Sequence, residues 1–147
     1  MKLSFENFPH VASSKTYCID NTVADSACSA NSFLHGVKTN NGIIGINANA
    51  KRGNCDDQHD VSKYTESIAT WFQMEGRSAG VVTNTRITHA TPAGVYAHIA
   101  NRDWEAYSSS ESTACNHVLI EDIAEQLVHG SVETKLKVIL GGGSKYF

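Results

Sequence analysis

The sequence predicts an α/β chain. Three apolar stripes at helical spacing alternate with short apolar runs bounded by glycine, and one helix–strand step reads as half of a β-α-β unit. With 147 residues, the chain is long enough for one domain with a real core. No internal repeat and no linker divides it.

Taken in order, residues 1–22 are polar with small apolar patches such as Phe8-Pro9-His10-Val11-Ala12, and read as loop with one short strand. Asp25 is a good N-cap, and Ala27, Ala30, Phe33, Leu34 and Val37 predict a helix over 25–37 that ends at Gly36. Asn41-Gly42 is a turn signal, and Ile43-Ile44-Gly45-Ile46 a short strand or extended segment. Residues 47–60 form a polar loop without a period. Asp60 then caps a second helix with Val61, Tyr64, Ile68, Trp71 and Phe72 on one face, stopped at Gly76. Ala79-Gly80-Val81-Val82-Thr83 reads as a buried-type strand. The polar loop Thr85–Gly94 follows it, where open α/β sheets bind ligands. Pro92 suits the first turn of a helix that runs on through Tyr96–Asn101 toward Arg102-Asp103-Trp104. Residues 105–116 are Ser- and Glu-rich surface loop. Ile120, Ile123, Ala124, Leu127 and Val128 mark a third helix, stopped at Gly130. Leu136–Leu140 is another strand, and Gly141-Gly142-Gly143 after it a tight structural turn, since no P-loop lysine pattern follows.

Composition excludes some classes. A net charge of -3 without a basic stripe speaks against nucleic acid. No apolar run approaches the length of a membrane span. Met1–Glu6 lacks the apolar core of a signal peptide, and Gly141–Phe147 is not a lipid-anchor signal. The four cysteines, Cys18, Cys28, Cys55 and Cys115, have no C-x-x-C spacing, which speaks against a zinc knuckle. Free thiols and disulfides both remain open, and composition selects no pairing.

The chemistry centres on Val23-Ala24-Asp25-Ser26-Ala27-Cys28-Ser29-Ala30. Ser26 falls in the first turn of a helix, where free N–H groups and the helix dipole favour an anion, so its hydroxyl suits attack on a phosphorus or carbonyl centre. Alone, such a serine is more commonly an ordinary cap. Taken alone, Arg102 beside Asp103 likewise reads as a surface ion pair, His89 as a loop histidine or cap, and Thr91 before Pro92 as an N-cap. His10, His35, His59, His98, His117 and His129 are scattered and read mostly as surface or packing residues.

Several motifs agree in order and spacing with a known family. Val23-Ala24-Asp25-Ser26-Ala27, Phe33-Leu34-His35-Gly36-Val37-Lys38, Thr85–Gly94, Tyr96-Ala97-His98, Asn101-Arg102-Asp103-Trp104 and Ile139–Phe147 together resemble animal alkaline phosphatase, from about Phe8 to Phe147. The resemblance implies a three-layer α/β sandwich with a central, mostly parallel sheet, of which residues 1–147 are a partial domain. It implies a metal-dependent phosphomonoesterase (a hydrolase of phosphate monoesters) that passes through a phosphoserine. Ser26 would be the nucleophile and a zinc ligand, and Arg102 the clamp on the phosphoryl oxygens. Asp25 would orient that arginine. Thr91 would be a magnesium ligand, with His89 its neighbour in the magnesium site. Cys55 and Cys115 would form a disulfide. The parent enzyme would be a homodimer tethered to the extracellular face of the plasma membrane by a GPI anchor.

Two departures stand out. Asn31 takes a position where the family usually carries threonine, which implies a change in packing or hydrogen bonding. The family's Asp-Gly-Met-Gly motif does not precede Ser26, and the aspartates, glutamate and histidines that complete its metal site do not follow. The expectation is therefore an internal fragment of a longer enzyme, itself inactive. The alternative is a catalytically inactive remnant acting as a binding module. A sulfatase or mutase reading is weaker, because sulfatases need a different nucleophile signature.

Overall fold

Strand β1 (Gly80–Arg86) and strand β2 (Val138–Gly142) pair in parallel, with Gly80 opposite Val138, Val81 opposite Ile139 and Val82 opposite Leu140. This is the α/β arrangement expected, with the sheet's two strands far apart in sequence. The computed structural model describes residues 2–106, 115, 120–130 and 136–147. The expected Ser- and Glu-rich loop at 105–116 and His117 fall largely or wholly outside them.

Helix α1 (Ser26–His35) starts at Asp25, whose carboxylate accepts the Cys28 N–H at 3.0 Å, and ends at Gly36 in the left-handed conformation (φ 69°). It packs on helix α4 (Ala90–Ala93), which in turn packs on β1. Gly94 permits that approach: a Cβ there would lie 2.8 Å from Ala30 Cβ. Around this junction lie the fully buried Ile43, Ile44, Ile46, Ile99, Trp104 and Ile123. Helix α5 (Ile123–His129) begins with an Asp122–Glu125 capping box and stops at Gly130.

Several expectations need correction. Helix α2 (Cys55–His59) lies inside the stretch read as loop. Five residues are too few to show an apolar period; Asn54 makes the helix by capping the Asp56 and Asp57 N–H groups. The second predicted helix is two pieces, a 3-10 turn at Val61–Lys63 capped by Asp60 and helix α3 (Ile68–Met74) recapped by Ser67. Between them the backbone turns sideways: Asn47 N–H donates to the Lys63 carbonyl at 2.8 Å and Thr65 N–H to the Gly45 carbonyl at 2.9 Å. The helix expected to run through Tyr96–Asn101 likewise ends early, because Ile99 exchanges both backbone hydrogen bonds with Ile44, at 2.8 and 3.0 Å. Ile43–Ile46, expected as a short strand or an extended segment, is the latter, making isolated antiparallel bridges from Ile44 to Ile99 and from Ile46 to Tyr64. Finally, β1 is not a buried strand: Val81 is covered, but Val82 is 72% exposed, since no described layer covers that side of the sheet. In residues 2–22 the described structure is a 3-10 turn at Ser4–Asn7 rather than a strand.

Asn31 is fully buried and accounts for its own presence. Its Oδ1 accepts the Gly45 N–H at 2.7 Å and its Nδ2 donates to the Val37 carbonyl at 3.3 Å. These bonds tie α1 to the Ile43–Ile46 segment.

Candidate active site

Ser26 opens α1 as its first residue, half-exposed, directly after the capping Asp25. The Asp25 carboxylate works in two directions. Its Oδ1 accepts the Cys28 N–H, while its Oδ2 takes the Arg102 Nη1 at 2.8 Å, across 77 positions of sequence. Burial opposes the charge on Asp25, but the Cys28 N–H, Arg102 and the Gly42 N–H outweigh it and hold the carboxyl below its usual range. Asp103 takes no part: it pairs with Arg52 at 2.5 Å on the surface. Arg102 is therefore directed inward by a carboxylate remote in sequence, not by its neighbour.

The second Arg102 nitrogen, Nη2, reaches His89 Nε2 at 3.1 Å. An arginine can only donate, so His89 Nε2 accepts and the imidazole proton sits on Nδ1. Burial, with Arg102 and Arg86 close by, lowers the His89 pKa and favours this neutral form. Nδ1 is buried without a hydrogen-bond partner among the described residues. An N–H there suits an anion or water and cannot ligate a metal directly. His89 stands at the N-cap position of α4 but makes no side-chain cap bond. Thr91 is not a cap either; it lies within α4 and is exposed.

A second ion pair braces this loop. Arg86 at the end of β1 grips Glu105 with both Nε (2.9 Å) and Nη2 (2.7 Å), and the buried Thr88 hydroxyl donates to the same carboxylate at 2.6 Å. Burial raises the Glu105 pKa, but Arg86 and Thr88 more than reverse it and keep the group ionised. Sequence reading missed this pair, because nothing in the spacing of Arg86 and Glu105 joins them.

All four cysteines are paired. Cys55–Cys115 is a disulfide with Cα atoms 5.8 Å apart, and Cys18–Cys28 is another at 5.7 Å. The first was expected; the second was not, although pairing off Cys55 and Cys115 leaves only those two thiols. Among the described residues one group of three potential metal donors comes together, Cys18, Asp25 and Cys28. Both sulfurs are spent in the disulfide and the carboxylate is engaged by Arg102, so it is no metal site. The hydroxyls of Ser26 and Thr91 are suitable hard donors, yet zinc or magnesium needs four to six ligands. The described residues do not complete such a centre.

A helix start bearing a hydroxyl, beside an arginine held by a carboxylate, on a parallel α/β framework, is an arrangement that binds anions. The chain belongs to the alkaline phosphatase family, whose model matches residues 1–147. It is 44% identical over 145 residues to the membrane-bound alkaline phosphatase of Bombyx mori, covering 99% of this chain and 26% of that protein. It is 42% identical over 151 residues to the human tissue-nonspecific isozyme, with 99% and 27% coverage. The chain thus spans about a quarter of the length of these relatives. Among solved structures, a mutant TAB5 alkaline phosphatase with Mg bound in its M3 site matches at 32% identity and TM-score 0.65, over 90% of this chain and 30% of that one. Thermus thermophilus alkaline phosphatase matches at 29% identity and TM-score 0.65, over 90% and 22%.

Proposed function

We propose that these residues are the nucleophile-bearing part of a phosphomonoesterase that works through a phosphoserine. The observation that carries the reading is the Asp25–Arg102 pair at 2.8 Å, set directly beside Ser26 at the start of α1. Ser26 attacks the phosphorus of a phosphate monoester. The Arg102 guanidinium, planar and always charged, takes two phosphoryl oxygens, while Asp25 fixes its aim. Developing charge also meets the free N–H groups of the first turn of α1. His89, neutral, supports Arg102 from its other side.

Zinc and magnesium belong to this reading as cofactors. Zinc would supply a lowered pKa for the Ser26 hydroxyl. Ser26 is offered to zinc and Thr91 to magnesium, with the remaining ligands outside these 147 residues. The magnesium in the TAB5 relative supports that part of the reading. It follows that the isolated chain does not turn over substrate. The physiological form is read as a homodimer tethered by a GPI anchor to the extracellular face of the plasma membrane, with no nucleic acid partner. The membrane-bound Bombyx mori relative supports the tether, and two disulfides favour an oxidising compartment. No described helix is long and apolar enough to cross a membrane.

The test is hydrolysis of a phosphomonoester at alkaline pH with zinc and magnesium, by the 147-residue chain and by a full-length enzyme that contains it. The full-length enzyme should be active, and Ser26→Ala should lower its rate by at least about a thousandfold. Activity in the isolated chain that vanishes on Ser26→Ala would overturn the claim that ligands are missing. A full-length enzyme that keeps its rate as Ser26→Ala would sink the phosphoserine.

A further inference from the structure

We propose that the Cys18–Cys28 disulfide is a positioning device for Arg102, and so for the phosphoryl group, rather than a general staple. The inference rests on the phosphomonoesterase reading above.

Both sulfurs are buried, Cys18 at 2% and Cys28 at 1% exposure, in a chain whose surrounding residues 8–17 are exposed. Cys28 lies two residues past Ser26, and its N–H holds Asp25 Oδ1. At the other end of the bridge, Cys18 opens a tight turn in which its N–H donates to the Asn21 carbonyl at 2.9 Å. That turn is docked on the 39–42 loop by two bonds. Ile19 N–H donates to the Thr39 carbonyl at 3.0 Å, and Asn41 N–H to Asp20 Oδ1 at 2.8 Å.

The 39–42 loop then reaches the site itself. The Gly42 carbonyl accepts the Arg102 N–H at 2.8 Å. The constraints form a closed ring: Cys28 to Asp25, Asp25 to Arg102, Arg102 to Gly42, the 39–42 loop to the Cys18 turn, and the disulfide back to Cys28. Every link but one is a hydrogen bond, and a ring of hydrogen bonds loosens at its weakest member. The covalent link removes that freedom. It fixes the amide that caps Asp25 and the loop that holds the Arg102 backbone relative to each other. The Cys55–Cys115 bridge joins α2 to a residue outside this ring and serves as the natural control.

The experiment uses the full-length enzyme and reads KM, kcat, competitive inhibition by inorganic phosphate, and the thermal midpoint. Removing both sulfurs as Cys18→Ala with Cys28→Ala should raise KM and the phosphate inhibition constant on the order of fivefold, with a smaller change in kcat. Cys55→Ala with Cys115→Ala should lower the thermal midpoint and leave both constants as in the wild type. Asp20→Ala keeps the disulfide but cuts the turn from Asn41, and should move phosphate inhibition in the same direction by less. A folded Cys18/Cys28 variant with unchanged phosphate inhibition overturns the proposal. Should that variant not fold, Asp20→Ala decides: a raised inhibition constant supports the ring and an unchanged one overturns it. An inactive wild type overturns the phosphatase reading, whereas an active wild type with unchanged variants overturns the positioning role alone.

Discussion

Arg102 shows what a residue's neighbours along the chain do and do not reveal. Reading Arg102-Asp103 as an ion pair is reasonable from adjacency, yet the turn that carries them points the side chains apart, Asp103 to Arg52 and Arg102 to Asp25. The true partner is 77 positions away, and no spacing rule finds it. Only the several motifs matching a known family put Asp25, Ser26, His89 and Arg102 in one place, and the structure joins Asp25, Arg102 and His89 by direct contacts. Because the guanidinium holds Asp25 with Nη1 and His89 with Nη2, its orientation is set before any ligand arrives. Arg102→Lys keeps the charge but not the fork. It should lower kcat/KM of the full-length enzyme about 10- to 100-fold, the loss of one or two charge-assisted hydrogen bonds. A change below about threefold would mean that a point charge suffices.

At the scale of elements, chain ends were legible and lateral contacts were not. Asp25 and Gly36 bound α1 as the capping rules expect, and Gly130 ends α5 where expected, since a cap is a bond to a residue at most three or four positions away. Asp122 starts α5 two residues past Ile120, which the apolar spacing places inside the helix. The breaks after Lys63 and Ala93 come from backbone bonds to Asn47, Gly45 and Ile44, which the local pattern does not contain. The Arg86–Glu105 brace belongs to this second kind. It joins the end of β1 to the segment that follows Arg102, and Thr88 shares its carboxylate. Glu105→Ala would leave the fully buried Thr88 hydroxyl and one face of Arg86 unpaired. The expected cost is about 2 kcal/mol of stability, read from chemical denaturation, with His89 and Arg102 losing alignment. Glu105→Gln should recover part of the stability, because its oxygen still accepts from Thr88; equal losses in both variants would show that charge, not the hydrogen bond to Thr88, sets the cost.

Over the whole molecule, buried histidines set the response to pH and the uncovered sheet sets the response to isolation. His35 lies with Nδ1 2.7 Å from the Thr65 carbonyl and Nε2 2.7 Å from the Gly94 carbonyl, and His98 stacks on Tyr64 with Nδ1 2.7 Å from the Gly45 carbonyl. Burial lowers both pKa values below the ordinary 6.5, despite those carbonyls. The unfolded chain then binds protons that the folded chain refuses. Stability is complete above pH 6.5 and falls as pH drops through the window between 6.5 and the lower folded values. Denaturation midpoints between pH 8 and 5 should follow that course, and His98→Asn should flatten it; a profile unaltered by that change would remove His98 from the account. The sheet gives the sharper test of whether this chain is part of a larger body. Leu140 on β2 is 59% exposed and Val82 opposite it 72%. Apolar residues paired across parallel strands are shaped for burial under a second layer. In the isolated chain they should make the protein marginally stable, prone to aggregate and able to bind hydrophobic dyes. Leu140→Thr should then change the stability of the isolated chain by less than about 0.5 kcal/mol, since nothing covers the side chain. In the full-length enzyme the same change should cost about 2 kcal/mol, for lost apolar burial and a hydroxyl without a partner. Urea midpoints measured on both proteins read the difference directly. Equal, small effects would mean that β2 stays exposed in the longer protein, and that this side of the sheet is a surface rather than half of a core.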